Sequence, residues 1–408
     1  MTRFVALLVL FASPLSAVAE LELRISKTTN DGIPIYLANI PGGANGIIEA
    51  NLKRSGRFTI VNRSKIKNLP PYGKPLNGGV YTDIADYIVR GTVLNGVLEI
   101  ELTSTSDNAK KLFKITSDRN KRRIAHEASD VIYERITREK GAFDTKLAYV
   151  TVTNVTNQNR EFRLFVSDAD GHNSFEISKT PYLMMSPSWS PDAKKLAFVS
   201  YEDGEPAVFV RNLYTYDIQK IETKEGANSA PAWSPDGSHL AMSITVDGNS
   251  DIYIANLKNG QVKRLTKSSA IDTEPSWSGT KSIVFTSNRG GGPQLYRMSI
   301  NGGKKQRLTF DGKSNSAADI ANNKLAFVRD NRHIAIRAVN TAGADRLSNG
   351  QFDDSPTLSP NGAMIAYTTM RNGENALAVI SDNGKSRQFL TSPVGDIREP
   401  AWSPYLNQ

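Results

Sequence analysis

Apolar and polar positions along the C-terminal two-thirds of the chain recur with a fixed beat. Short apolar strands begin at Leu147, Leu196, Leu240, Ile283, Leu325 and Ile365, reading LAYV, LAFV, LAMS, IVFT, LAFV and IAYT. Successive copies lie 49, 44, 43, 42 and 40 residues apart. That period accommodates four short strands and their turns, which is one blade of a β-propeller. Six periods predict six blades.

A second element precedes most of these strands. It reads PSWSP from Pro187, PAWSP from Pro231, PSWS from Pro275, PTLSP from Pro356 and PAWSP from Pro400, with a degenerate copy at Ala318-Asp319-Ile320. All four tryptophans, Trp189, Trp233, Trp277 and Trp402, hold its third position. The Ser234 to Gly237 stretch (SPDG) suits a type I turn. Asp203-Gly204, Asp247-Gly248, Asn301-Gly302 and Asn383-Gly384 suit hairpin turns. The two elements are offset: the strand at Leu147 has no Trp motif just ahead of it, and the motif at Trp402 has no apolar strand after it. Six of each close into a ring if the strand around Ala401 to Ser403 joins the blade beginning at Leu147, which leaves no open edge. An open β-solenoid, the alternative, gives no reason for the offset.

Upstream of the repeat the pattern changes. Leu21, Leu23 and Ile25 alternate as in a strand, and Ile33 to Ile40 forms a second. Ile47, Ile48 and Leu52 share a helical face stopped by Ser55-Gly56. Phe58 to Val61, Tyr87 to Val89, Val97 to Leu102 and Leu112 to Thr116 read as strands. Ile124, Ala128, Val131, Ile132 and Ile136 form a continuous helical stripe with Gly141 at its end. Asn68 to Gly79, rich in Pro and Gly, reads as a surface loop. The expected fold is an N-terminal α/β domain at 20–140, followed at 141–408 by an all-β six-bladed β-propeller closed by the C-terminal strand.

Composition narrows the setting. Arg3, the apolar run Phe4 to Ala12, Pro14 and Ala17-Val18-Ala19 form a secretory signal at 1–19, with cleavage between Ala19 and Glu20. The run is shorter than the roughly 20 residues a bilayer span needs, so no transmembrane span is expected. The 408 residues contain no cysteine, which excludes disulfides and thiolate metal sites. The net charge of +9 is scattered, and its densest cluster, Arg119 to Arg123, reads as a solvated helix start. Nucleic acid is not an expected partner of an exported chain.

The sequence carries no catalytic constellation: no G-x-S-x-G elbow, no H-E-x-x-H and no P-loop. His126, His172, His239 and His333 are far apart, and His172 and His239 sit in turn-like stretches. No catalytic, cofactor or metal site is expected. The Trp and Pro repeats read as packing units between blades. More informative are the positions just before each Trp motif, expected to be loops at the channel mouth. They read Leu183-Met184-Met185-Ser186, Asn228-Ser229-Ala230, Asp272-Thr273-Glu274, Asp353-Asp354-Ser355 and Ile397-Arg398-Glu399. They vary where the scaffold repeats, as binding surfaces do; ordinary polar turns are the alternative.

Nearly the whole chain resembles the TolB family, periplasmic propeller proteins of the Tol-Pal system of Gram-negative bacteria. The most specific stretches are the export signal, Ile48 to Phe58 (IEANLKRSGRF), Ala128 to Tyr149, Val166 to Gly171 (VSDADG), Leu183 to Pro191 and the ending from Pro400 (PAWSPYL). The chain departs from the family at Ala38-Asn39-Ile40-Pro41, where Pro-Phe is usual, and in the lost Trp of one repeat. The resemblance implies a monomeric periplasmic docking protein without a cofactor, not an enzyme. It implies that the peptidoglycan-associated lipoprotein, Pal, binds at Met184, Met185, Asn228, Ser229, Ala230, Asp272, Thr273, Glu274, Asp353, Asp354 and Arg398. It implies that TolA binds the mature N-terminus, Glu20, Leu21, Glu22, Leu23, Arg24 and Ile25. The system holds the outer membrane in place and helps it constrict at division. A propeller hydrolase or lyase acting on envelope sugars or peptides is the alternative.

Overall fold

The computed structural model describes residues 32–115, 121–154, 160–223, 226–371, 373–390 and 396–406. The signal and its cleavage point at Ala19 and Glu20, and the alternating segment through Ile25, lie outside the described residues. The described chain falls into two compact units, one running to Asp144 and the other spanning Thr145–Leu406.

The first unit is α/β. Strand β1 (Ile33–Leu37) leads through helix α1 (Ala44–Arg54) to β2 (Phe58–Ile60); β3 (Tyr87–Leu94), β4 (Val97–Ser104) and β5 (Lys110–Ile115) follow, then helix α2 (Lys121–Thr137). The sheet order is β2-β1-β3-β4-β5, with β1 parallel to both neighbours and the last three strands antiparallel. Helix α1 buries Ile48 and Leu52, as its spacing requires, and Gly56 beyond its end is left-handed at φ 65°. Helix α2 buries Ala128, Val131, Ile132 and Ile136. Its last residue is Thr137, so Gly141 is not its stop. Gly141 is needed for clearance instead, because a Cβ there would lie 2.4 Å from Asp130 Cα. Of the basic cluster, Lys121 opens α2 and Arg123 pairs with Glu127 at 3.0 Å and Asp144 at 3.2 Å. The Pro-rich loop lies at the surface, as expected, and is tied down from beneath. Arg90, 1% exposed, donates to the carbonyls of Pro70 at 2.7 Å and Pro71 at 2.9 Å, and pairs with the buried carboxylate of Glu101.

The second unit is a six-bladed β-propeller of six four-stranded antiparallel sheets. Blades are numbered here by their second strands in chain order. Blade 1 is built from Lys146–Asn154, Arg160–Asp168 and Phe175–Thr180, and its inner strand is the C-terminal Asp396–Trp402. Trp402 pairs with Leu147 and Ala401 with Ala148, so the two ends of the repeat clasp the ring shut. The inner strands of blades 2 to 6 are Met184–Trp189, Ala227–Trp233, Asp272–Trp277, Asn315–Ala321 and Asp354–Leu358. Each apolar strand of the sequence period is the second strand of a blade. Its side chains fill the layer between neighbours: Phe162 and Leu164 of blade 1 join Phe198 and Phe209 of blade 2 in one core, and Val284 and Leu295 of blade 4 join Phe327 of blade 5 in another. Truncating one such phenylalanine to alanine is expected to cost about 3–5 kcal/mol.

Candidate functional site

Every inner strand carries the same irregularity. Two of its residues face one residue of the second strand: Ser186 and Pro187 oppose Phe198, and Glu274 and Pro275 oppose Phe285. The other four blades repeat this, with Met242, Phe327, Tyr367 and Tyr149 as the opposing residues. These are β-bulges, which bend and twist a strand, and the third letter of each LAFV-type motif supplies the large side chain opposite. The first bulged residue is left-handed in all six blades: Ser186 φ 54°, Ala230 φ 48°, Glu274 φ 53°, Ala317 φ 51°, Ser355 φ 51° and Glu399 φ 53°. None is glycine. Such backbone carries strain of order 1–3 kcal/mol per residue, which persists only where the surroundings fix it.

The bulges revise the expectation of loops before each Trp motif. Met184, Met185, Asn228, Ser229, Ala230, Asp272, Thr273, Glu274, Asp354 and Arg398 lie within inner strands, and Asp353 lies one residue before its strand. The bulge sorts them into three positions. Two residues ahead of the left-handed one, the side chain is buried in every blade: Met184, Asn228, Asp272, Asn315, Asp353 and Ile397. These hold the blade together. Arg289 Nη2 donates to both Asp272 oxygens at 2.7 Å, Thr369 Oγ1 donates to Asp353 at 2.6 Å, and Asn228 Nδ2 donates to Thr223 Oγ1 at 3.0 Å. One residue ahead, Met185, Ser229, Thr273, Ser316 and Arg398 are partly open and Asp354 is exposed. Among these six only serine recurs; Met185 also packs on the core between blades 2 and 3, and Arg398 pairs with Asp396 at 3.5 Å.

Past the bulge the six inner strands enclose a cavity of about 430 Å³ walled by the repeated Pro, Ser and Trp residues, with Ala230 and Glu274 the only members of the candidate set on its wall. Neighbouring blades are laced across this wall. Trp189 Nε1 donates to Ala401 O at 3.0 Å and Trp277 Nε1 to Ala232 O at 2.9 Å, while Trp402 Nε1 donates at the start of its own blade, to Thr145 Oγ1 at 2.8 Å. Trp402 N donates to Thr357 Oγ1 at 2.9 Å, and between the two repeats that lack Trp, Leu358 N donates to Asp319 Oδ2 at 2.7 Å. The two glutamates among the left-handed residues act alike. Glu274 Oε2 accepts from Ala317 N at 2.8 Å, and Glu399 accepts from Ser186 N, so each ties its blade to the bulge of the next. Burial raises the pKa of the Glu399 and Asp319 carboxyls, against the pull of these amide donors.

No histidine lines this cavity. His126 Nδ1 contacts Asn51 Nδ2 at 2.9 Å in the core of the first unit, His172 is exposed beside Asp170, and His239 opens a strand rather than sitting in a turn. The Glu20 to Ile25 segment lies outside the described residues. Among the described residues no helix is long and apolar enough to cross a membrane. The sequence reading missed the bulges and the buried position ahead of them. A signal was present: Asn228, Asp272, Asn315 and Asp353 recur at one place in the repeat.

Fold and site together define a closed six-bladed propeller whose inner strands present a ring of variable side chains ahead of a repeated, cross-laced wall. The family model described as the TolB beta propeller domain matches residues 133–406. The Tol-Pal system protein TolB of Xylella fastidiosa (strain M12) is 38% identical over 431 residues, covering 99% of this chain and 98% of that protein. The protein of the same name from Thioalkalivibrio sulfidiphilus (strain HL-EbGR7) is 38% identical over 427 residues, covering 98% of each. The crystal structure of TolB from Acinetobacter baumannii matches with TM-score 0.84 and 32% identity over 93% of this chain and 99% of that one. The chain belongs to the TolB family of Tol-Pal system proteins.

Proposed function

We propose that this protein is a non-enzymatic periplasmic adaptor of the Tol-Pal system. Pal docks at the mouth of the propeller, and TolA binds the mature N-terminus, Glu20 to Ile25. The pair of contacts supports outer-membrane integrity and constriction during division. The observation that carries the docking reading is the open position ahead of each bulge. Side chains of five types, Met, Ser, Thr, Asp and Arg, stand at one level of a rigid ring, whereas the positions on either side of them are committed to the fold. Sequence variation on a fixed scaffold is how a docking surface acquires specificity. The three carboxylates on the cavity wall, Glu274, Asp319 and Glu399, each accept from a backbone amide of the neighbouring blade, which supports a structural role for them over one in a hydrolase or lyase.

The contact set narrows accordingly. Met185, Ser229, Thr273, Asp354 and Arg398 meet Pal directly, and Met184, Asn228, Asp272 and Asp353 act by holding the blades. At the N-terminus, Leu21, Leu23 and Ile25 alternate with Glu22, Arg24 and Ser26, a pattern that adds a strand to an exposed sheet edge. Affinity capture from an envelope extract with the mature chain should recover an OmpA-like lipoprotein and TolA. Deleting Glu20 to Ile25 should abolish TolA capture and leave the lipoprotein largely retained. Capture of TolA at the wild-type level by the truncated chain would remove the tail from the account, and failure to recover any lipoprotein would remove the docking role.

A further inference from the structure

The short fourth strands of blades 3, 4 and 5 share a motif, reading KRLT from Lys263, QRLT from Gln306 and DRLS from Asp345. In blade 3 its arginine is neutralised: Arg264 pairs with the buried carboxylate of Asp251, which also accepts from Thr266 Oγ1 at 2.8 Å. Blade 4 keeps the frame and changes the charge. Thr309 Oγ1 donates to Gln294 Oε1 at 2.8 Å, so Gln294 stands where Asp251 stands, and Arg307 has no carboxylate there.

Three more arginines gather beside Arg307. Arg297 comes from the third strand of blade 4, and Arg329 and Arg337 from the second and third strands of blade 5. The strand register puts Arg329, Phe327 and Arg337 on one face of that blade, the face whose Phe327 packs on blade 4. At the places of Arg297 and Arg337, blade 3 has Ile254 and Ala255. The fold therefore does not require arginine at either place. The hydrogen-bond partners of three of these are neutral: Arg297 donates to Asn340 Oδ1 at 3.1 Å and Gln306 Oε1 at 3.0 Å, Arg307 to Thr309 O at 2.6 Å, and Arg337 to Val339 O at 3.3 Å. Arg329 Nε and Arg337 Nε are buried with no acceptor among the described residues. All four arginines line a cavity of about 500 Å³ between the blades, whose lining contains one acid, Asp311. Burial, together with Arg297 and Arg329 nearby, lowers the proton affinity of Arg337.

Such a cluster is unfavourable without a counter-anion, since each like charge and each unfilled buried donor adds cost. We propose that this cavity binds a phosphate-bearing ligand, its oxygens held by Arg297, Arg307, Arg329 and Arg337 and its organic part resting on Phe310. Phosphate fits better than carboxylate because a phosphate monoester carries about −1.5 to −2 charge, against a lining of four arginines and one aspartate. Planar guanidinium forks match its oxygens. Phe310 is exposed at the rim with the Arg307 guanidinium 5.2 Å from its ring centroid, which leaves most of the ring free.

The test uses the mature chain, titrated with α-glycerophosphate, with glycerol and acetate as controls, and with vesicles containing phosphatidic acid, whose headgroup is a phosphate monoester. Wild type should bind a phosphate probe and neither control. Binding of α-glycerophosphate points to a soluble ester, and binding of the vesicles alone to a lipid headgroup. Gln294→Asp supplies to Arg307 the carboxylate that blade 3 supplies to Arg264. It should weaken binding about tenfold or more, as should Arg337→Met, and lipoprotein binding should be unchanged. If Gln294→Asp lowers the melting temperature, Arg337→Met decides. No binding of either phosphate probe, equal binding of acetate, or wild-type affinity in both variants would overturn the proposal.

Discussion

The two units of this chain solve the problem of buried polar groups in opposite ways. In the propeller the solution is repeated: the same bulge with a left-handed first residue serves each blade, and hydrogen bonds lace neighbouring inner strands at several places round the ring. In the N-terminal unit each solution occurs once. Arg90 and Glu101 pair in the interior of the sheet, and Asn51 bridges the helices to His126 and Ser129, each at 2.9 Å. A repeated device tolerates loss of one copy, as Asp319 shows by standing in a motif that has lost its Trp. A device used once has no substitute.

The largest effect therefore belongs to the N-terminal unit. Glu101→Ala leaves Arg90 buried and short of a counter-charge, and removing one partner of a buried pair costs roughly 3–5 kcal/mol. Differential scanning calorimetry should show the transition of the first unit moving down while that of the propeller stays in place; equal shifts of both would break the contrast. Next is the clasp. Trp402 is buried and its indole is hydrogen-bonded, so Trp402→Ala should cost about 3–5 kcal/mol. Trp233 is half-buried and its Nε1 has no acceptor among the described residues, so Trp233→Ala should cost less. Urea unfolding of both variants ranks them, and equal losses would deny the clasp a special role.

The same contrast explains what the sequence made legible. Blade number, ring closure by the last strand and the fill of the core were all readable, because six copies of an apolar strand average out local noise. Helices α1 and α2 were readable from single stripes because each exceeds two turns. The parallel pairing of β1 with both β2 and β3 was not, since no local pattern records which strand lies beside which. Residues before each Pro-x-Trp motif read as loops because Ser, Asn, Asp and Pro favour turns, whereas here they form bulged strand. The pairing of Arg90 with Glu101 was not legible, since their burial follows from the loop folded over them.

Smaller effects sharpen the comparison. Asp130 accepts from Phe143 N at 2.7 Å and Asp144 N at 3.0 Å, and burial pushes its carboxyl from 3.8 up to about 8. An acid with a raised folded pKa binds its proton more tightly when folded. Its contribution is full below the unfolded value of 3.8 and is lost as pH rises toward about 8. The urea midpoint of the first unit should fall across that window, and Asp130→Asn should flatten the slope; an unchanged slope would clear Asp130. At Ala230 the left-handed backbone makes Ala230→Val a strained change, so it tests the blade before it tests a partner. Ala230→Gly should be neutral or stabilising by up to about 1 kcal/mol, read by thermal unfolding. Marked destabilisation by glycine would mean that the methyl group packs more than the backbone strains.

The central claim, that Pal docks on the open position ahead of the bulges, is tested most directly by calorimetric titration of the soluble domain of Pal into variants at Thr273. Its side chain is partly open and its neighbours Asp272 and Glu274 hold the blade. Thr273→Ile, and more strongly Thr273→Trp, should weaken binding by about tenfold or more while thermal unfolding stays at the wild-type temperature. Wild-type affinity in both variants would place the lipoprotein elsewhere and contradict the account.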